Sequence, residues 1–175
     1  MGLLGINTAI QRELVLGRSR EEIFQEFSGK SPKNSAKFAY CLASIPHSGL
    51  RHRYLKHNAL LFLLLLALSG LSLMVEWPID FRQSTIFIAI KVLIPIVFSY
   101  FVYQFHGGVY RLLGIWCLID LLESILLLQF TTGAGLAKVI VLLLTVSLSF
   151  FIAGKVFPNL RVIGPRQDLQ GRYLL

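Results

Sequence analysis

With 175 residues, 55% of them hydrophobic, and a mean hydropathy of +0.67, the chain is more apolar than a soluble domain, whose apolar fraction is roughly 45–50%. That composition points to an all-α integral membrane protein, and the length leaves room for one bundle and a small polar appendage but not for a second sizeable domain. Lys and Arg number 17 against 9 Asp and Glu, an excess that in a soluble chain would suggest nucleic acid; here most of it lies at the two ends, where a membrane protein carries its orientation signal.

Residues 1–45 read as a cytoplasmic cap of short helices. Ala9, Ile10, Leu14 and Val15 recur at helical spacing, and Gly17 is a stop. Ser19-Arg20-Glu21-Glu22 is a capping box, in which the Ser19 hydroxyl and the Glu22 carboxylate satisfy reciprocal backbone donors. Ile23, Phe24 and Phe27 then form one apolar face, expected to bind a partner, and Gly29 ends the helix. Ser31-Pro32 opens the next, with Ser31 as cap and proline at the first helical position, and Ala36, Ala39, Tyr40 and Ala43 carry it to Ile45. Three short basic helices invite comparison with a DNA-reading helix-turn-helix. Nothing in them resembles a base-reading face, so nucleic acid is not an expected partner.

From Ser44-Ile45-Pro46 the helical pattern runs without interruption into the first apolar stretch. Arg51, Arg53 and Lys56, with Tyr54 among them, sit where a cytoplasmic interface would contact anionic lipid, each worth about 1 kcal/mol of attraction to the headgroups. His47, His52 and His57 follow at steps of five residues, which turn each about 140° from the last on a helix. They share no face, so no metal site is expected. Cys41 and Cys117 are expected in different environments and in no metal-type cluster, which leaves them as packing thiols. The first apolar run begins near residue 58, so no secretory leader is expected, and Met1-Gly2-Leu3-Leu4-Gly5-Ile6 lacks the Ser or Thr of a myristoylation signal.

Residues 46–157 are expected to form a four-span bundle with spans at about 57–76, 84–104, 109–130 and 136–157, each near the roughly 20 residues that cross a hydrocarbon core. Short connections predict an up-down-up-down arrangement. Orientation follows from charge: with both termini in the cytoplasm, the nine basic residues of 1–56 lie there together with Arg111, Lys155, Arg161, Arg166 and Arg172, while Arg82 and Lys138 flank the opposite side. Trp77, Phe81 and Tyr110 would anchor the interfaces. Residues 158–175 read as a basic cytoplasmic tail, and the expected location is the inner (plasma) membrane of a bacterium.

Inside the apolar runs stand Lys91, Asp120 and Glu123. Lys91 and Glu123 each lie seven residues from the outer ends of their spans, about 10 Å deep from the same surface, so they can pair. Asp120, one turn before Glu123, would share that lysine or face water. Pro95 leaves the carbonyl of residue 91 without its helical donor and bends the span beside the charge. Ser99 continues that face; Thr145, Ser149 and Ala153 on the fourth span, and Ser69, Gly70 and Ser72 on the first, are small residues suited to close helix contact.

The chain lacks a phosphate-binding loop, a His-Glu-x-x-His or a Gly-x-Ser-x-Gly, so neither an enzyme nor a cofactor is expected. The function expected is that of a small membrane subunit or adaptor that recruits a cytoplasmic protein partner or assembles with its own copies. The alternative is a homo-oligomeric ion channel or proton-linked transporter using Asp120 and Glu123.

Overall fold

The computed structural model describes residues 3–30, 34–75, 85–162 and 164–174, and these are helical apart from turns and two isolated β-bridges. In chain order the helices are α1 (Leu3–Val15), α2 (Arg20–Lys30), α3 (Ser35–Ser44), α4 (Ser48–Arg53), α5 (Leu55–Val75), α6 (Thr85–Tyr103), α7 (Gly107–Leu126) and α8 (Gly133–Val156). Of these, α5 and α8 are long and apolar enough to cross a membrane. The expected anchors Trp77 and Phe81 and the expected cap Ser31-Pro32 lie outside the described residues.

The N-terminal helices fold on one another. α1 is closed off by Gly17, just past its end, whose φ of +82° is the left-handed geometry that glycine adopts without a steric penalty. The turn is completed by Gly17 N–H donating to the Leu14 carbonyl at 3.1 Å and Arg18 N–H to Glu13 at 3.4 Å, a Schellman pattern. The capping box forms as expected: Glu22 N–H donates to Ser19 Oγ at 3.2 Å and Ser19 N–H to Glu22 Oε2 at 3.3 Å. Ile10, Ile23, Phe38, Cys41 and Leu42 make the core of this cap. Arg20 reaches across it, donating to the carbonyls of Leu42 and Ile45 at 2.7 Å each, and so holds the C-terminal end of α3. α2 runs through Gly29, which is not its end.

α4 and α5 come close to the single helix expected. Only Tyr54 interrupts them, and the ladder passes over it through Tyr54 N–H to Leu50 and Asn58 N–H to Tyr54, both at 3.0 Å. α5 to α8 then lie side by side. α5 packs on α6 and α8, α8 on α7, and α6 meets α7 over a shorter stretch. Chain neighbours run antiparallel: Ser69 Oγ donates to the Val92 carbonyl at 2.8 Å, while Asn58 Nδ2 donates to Val102 at 2.7 Å near the other end. Two glycines set the start of α7. A side chain on Gly107 would meet the Phe157 and Leu160 side chains just after α8, and one on Gly108 would meet the Tyr40 hydroxyl, so a larger residue at either position requires those side chains to move.

The C-terminal tail is folded rather than a plain basic extension. Asp168 accepts from the backbone N–H groups of Gln170 and Arg172 and from Arg172 Nε, closing a turn that sets Tyr173 edge-on to Phe24, ring centroids 5.8 Å apart. Those contacts, the Arg172 backbone N–H foremost, hold the Asp168 carboxyl below its ordinary value.

Candidate functional site

Two lysine-carboxylate pairs occupy the end of the bundle away from the cap. Lys91 Nζ on α6 lies 2.6 Å from Glu123 Oε1 on α7, the pairing that equal depth predicts. Asp120 does not share that lysine. Its Oδ1 takes Lys138 Nζ of α8 at 3.0 Å, and the side chains of Lys138 and Asp120 are 1% and 5% exposed, against 17% and 44% for Lys91 and Glu123. The expectation that Lys138 flanks the outer surface is therefore wrong. α8 begins at Gly133, where the Thr132 hydroxyl accepts the Gly135 N–H at 3.0 Å, so Lys138 is already in its second turn. α7 correspondingly stops at Leu126, four residues before the expected end, and Leu128 takes a φ of +51° ahead of a short 3₁₀ turn at Gln129–Thr131. Among the described residues Glu123 takes Lys91 and Asp120 takes Lys138, in place of two acids competing for a single cation.

Buried hydroxyls run along the bundle from the pairs towards the cap. Ser69 holds the Val92 carbonyl, one residue from the carbonyl that Pro95 leaves without a helical donor, and Ser99 Oγ donates to Ile96 at 2.7 Å. Thr145, Ser149 and Ala153 form the buried ridge expected on α8, and Ser72 is buried on α5 although Gly70 faces outward. Asp120 Oδ2 and the hydroxyls of Ser72, Ser124 and Ser149 have no hydrogen-bond partner among the described residues. Buried polar atoms of this kind are completed by water or an ion in most proteins.

A second polar centre closes the opposite end. Tyr110, expected at an interface, is fully buried; its hydroxyl donates to Asn58 Oδ1 at 2.5 Å, while Asn58 Nδ2 bonds the Val102 carbonyl. The same carbonyl accepts the N–H of Phe105 at 2.9 Å, so the last turn of α6 is capped by side chains from α5 and α7. Phe105 itself is buried with φ +57°, a strained conformation for a non-glycine residue. Asn58 had no distinguishing signal in the sequence except its place at the head of an apolar helix.

The residues expected to bind a partner are partly consumed by the cap. Ile23 is fully buried, Phe27 packs on Phe38 with ring centroids 5.6 Å apart, and Phe24 receives Tyr173. Their helical spacing serves the cap's own core. Arg51, Arg53 and Lys56 are exposed at the junction of α4 and α5, Arg51 over the Phe105 ring at 5.5 Å and Arg53 over Tyr54 at 6.0 Å. Cys41 and Cys117 are both buried thiols, and burial raises the Cys41 pKa and keeps it protonated. The chain matches no known family profile, no curated protein and no solved structure.

Proposed function

We propose that α5 to α8 are four membrane spans with both termini cytoplasmic, in the inner membrane of a bacterium, and that the protein is a non-enzymatic anchor or adaptor subunit. The observation that carries this reading is the apolar outer surface of the four helices, which surrounds a mainly apolar core with a few polar groups sealed inside it. Leu63 on α5, Leu93 on α6, Ile119 on α7 and Leu144 on α8 are each more than half exposed, while Ser72, Ser99, Asp120, Lys138 and Ser149 are buried between the helices. In water such a surface would associate; in lipid it is the expected arrangement. Each internal acid has its own lysine, which suits a device that fixes how the spans pack. The cap and the folded tail are then the surface offered to a cytoplasmic partner or a second copy. With Ile23 sealed inside, a partner would meet the open edges of Phe24 and Phe27 and the exposed Val15-Leu16 pair.

Topology is tested by single cysteines in a background with Cys41 and Cys117 replaced. Gln83→Cys should react with an impermeant maleimide from outside intact cells, and Gln167→Cys only after permeabilisation. Equal labelling of both from one side would remove the four-span reading. The second reading, an oligomeric cation or proton pathway, is favoured by the unpartnered atoms Asp120 Oδ2, Ser72 Oγ, Ser124 Oγ and Ser149 Oγ. A flux in liposomes that Asp120→Asn or Glu123→Gln abolishes would install it in place of the adaptor.

A further inference from the structure

We propose that the junction between the cap and the bundle is a binding site for one anionic membrane lipid, with its phosphate among Arg20, His47, Arg51, His52 and His106 and an acyl chain in the groove between α5 and α6. The inference rests on the reading of α5 to α8 as membrane spans.

A cavity of about 880 Å³ lies where the turn after α1, the exit of α3, α4 and the α6–α7 connection converge. That is within the range of small-ligand sites, roughly 300–1,000 Å³. Its lining is strongly basic. Three arginines and three histidines face a single acid, Glu21. Arg18 is neutralised by Glu13 at 3.0 Å and Glu26 at 2.7 Å, but neither Arg20 nor Arg51 makes a salt bridge with an acid among the described residues. Arg20 is held in place by the two α3 carbonyls and Arg51 by the Phe105 ring, so both charges are positioned before any ligand arrives. Burial, and next the Arg20 charge, hold His47 below its ordinary value, against a smaller opposing effect of Glu21. A phosphate would relieve that crowding of positive charge.

The cavity does not end in polar walls. A second space of about 650 Å³ shares Gln11, Arg51, Gln104 and Phe105 with it and continues along Leu55, Ala59, Phe62 and Tyr103 between α5 and α6. Leu55 and Tyr103 are exposed on the flank that would face lipid. Free phosphate has no use for that apolar continuation, whereas a phospholipid fills both halves. Arg53 and Lys56 line neither space, which separates this site from the general attraction of the interface for anionic headgroups.

The test is native mass spectrometry of the full chain in nonionic detergent, titrated with phosphatidylglycerol, with phosphatidylcholine and with inorganic phosphate. One phosphatidylglycerol should be retained at least tenfold more tightly than phosphatidylcholine. Arg51→Gln, which removes no hydrogen bond within the described residues, should weaken it about tenfold, and Ala59→Trp should block the groove with a similar loss. Arg53→Gln serves as the control and should change binding less than twofold. Equal retention of the two lipids, or an Arg51→Gln variant that binds like wild type, would overturn the proposal. So would inorganic phosphate binding that Ala59→Trp leaves intact, which would make the site one for a soluble anion. Co-flotation with liposomes separates the two levels: a chain that floats but shows no lipid preference loses only this site, while one that stays in the soluble fraction loses the membrane reading as well.

Discussion

Replacing Lys138 by Met takes the cation from Asp120 and leaves everything else about the bundle nearly unchanged, because methionine follows the lysine stem. Asp120 is 5% exposed in its side chain, its Oδ1 has Lys138 as partner at 3.0 Å, and its Oδ2 has no partner among the described residues. No other hydrogen bond to this carboxylate is found among the described residues, and stranding one member of a buried pair destabilises by about 3–5 kcal/mol. Lys91→Met is the comparison. Glu123 is 44% exposed, so the same change there should remain at about 1 kcal/mol or below after screening. Thermal or denaturant unfolding in detergent, followed by circular dichroism, reads both. Lys138→Met combined with Asp120→Asn should recover most of the loss, giving a coupling of about 2 kcal/mol or more across the cycle. If Lys138→Met costs no more than Lys91→Met, or if the double variant is as unstable as the single one, the Lys138–Asp120 pair does not hold α7 to α8 and the structural role assigned to it is wrong.

Asn58→Leu removes the side-chain bond to the Val102 carbonyl at the end of α6 and the acceptor of the Tyr110 hydroxyl, which keeps only a long contact to Val102 at 3.4 Å, so unfolding in detergent should show a loss of about 1–3 kcal/mol, and Tyr110→Phe in the same background should restore part of it. Gly108→Ala places a methyl on the Tyr40 hydroxyl and should loosen the cap, read as faster proteolysis between residues 45 and 54; Tyr40→Phe, which removes that oxygen, should slow the cleavage again. Burial lowers His106 from its ordinary value of 6.5. The unfolded chain therefore takes up the proton first, so this group leaves stability untouched above pH 6.5 and subtracts from it as the pH falls below that value towards the folded pKa. The wild-type melting temperature should drop more steeply than that of His106→Gln between pH 7 and pH 5, and identical slopes would show that His106 is not the group responsible.

How far the chain could be read in advance depended on whether a feature is local. The capping box at Ser19-Arg20-Glu21-Glu22, the stop at Gly17 and the helical character of the apolar runs follow from neighbours within one or two turns, and all are found where the residues place them. The Lys91–Glu123 pair was also legible, since depth along a helix is a matter of counting. Asp120 shows where counting fails. With α8 starting at 136 and α7 ending at 130, Lys138 is two residues from one helix end and Asp120 ten from the other; with the observed ends at Gly133 and Leu126 they are five and six residues in, and level. Thr132 as a cap was the signal for the earlier start of α8.

Sequence alone therefore determined the all-helical character of the chain and the residues that start and stop several of its helices, because helix formation and capping are decided by nearby backbone and side-chain chemistry. Rotation of each helix about its axis, and the choice of neighbour it turns towards, came only with the tertiary structure. That is why Ile23 faces the cap's own core, why Tyr110 closes on Asn58 instead of reaching an interface, and why Asp120 meets Lys138. In an apolar helix the hydrophobic period is nearly erased, so the few buried polar groups decide the rotation by finding one another across helices, and that search is settled only when all of them are packed.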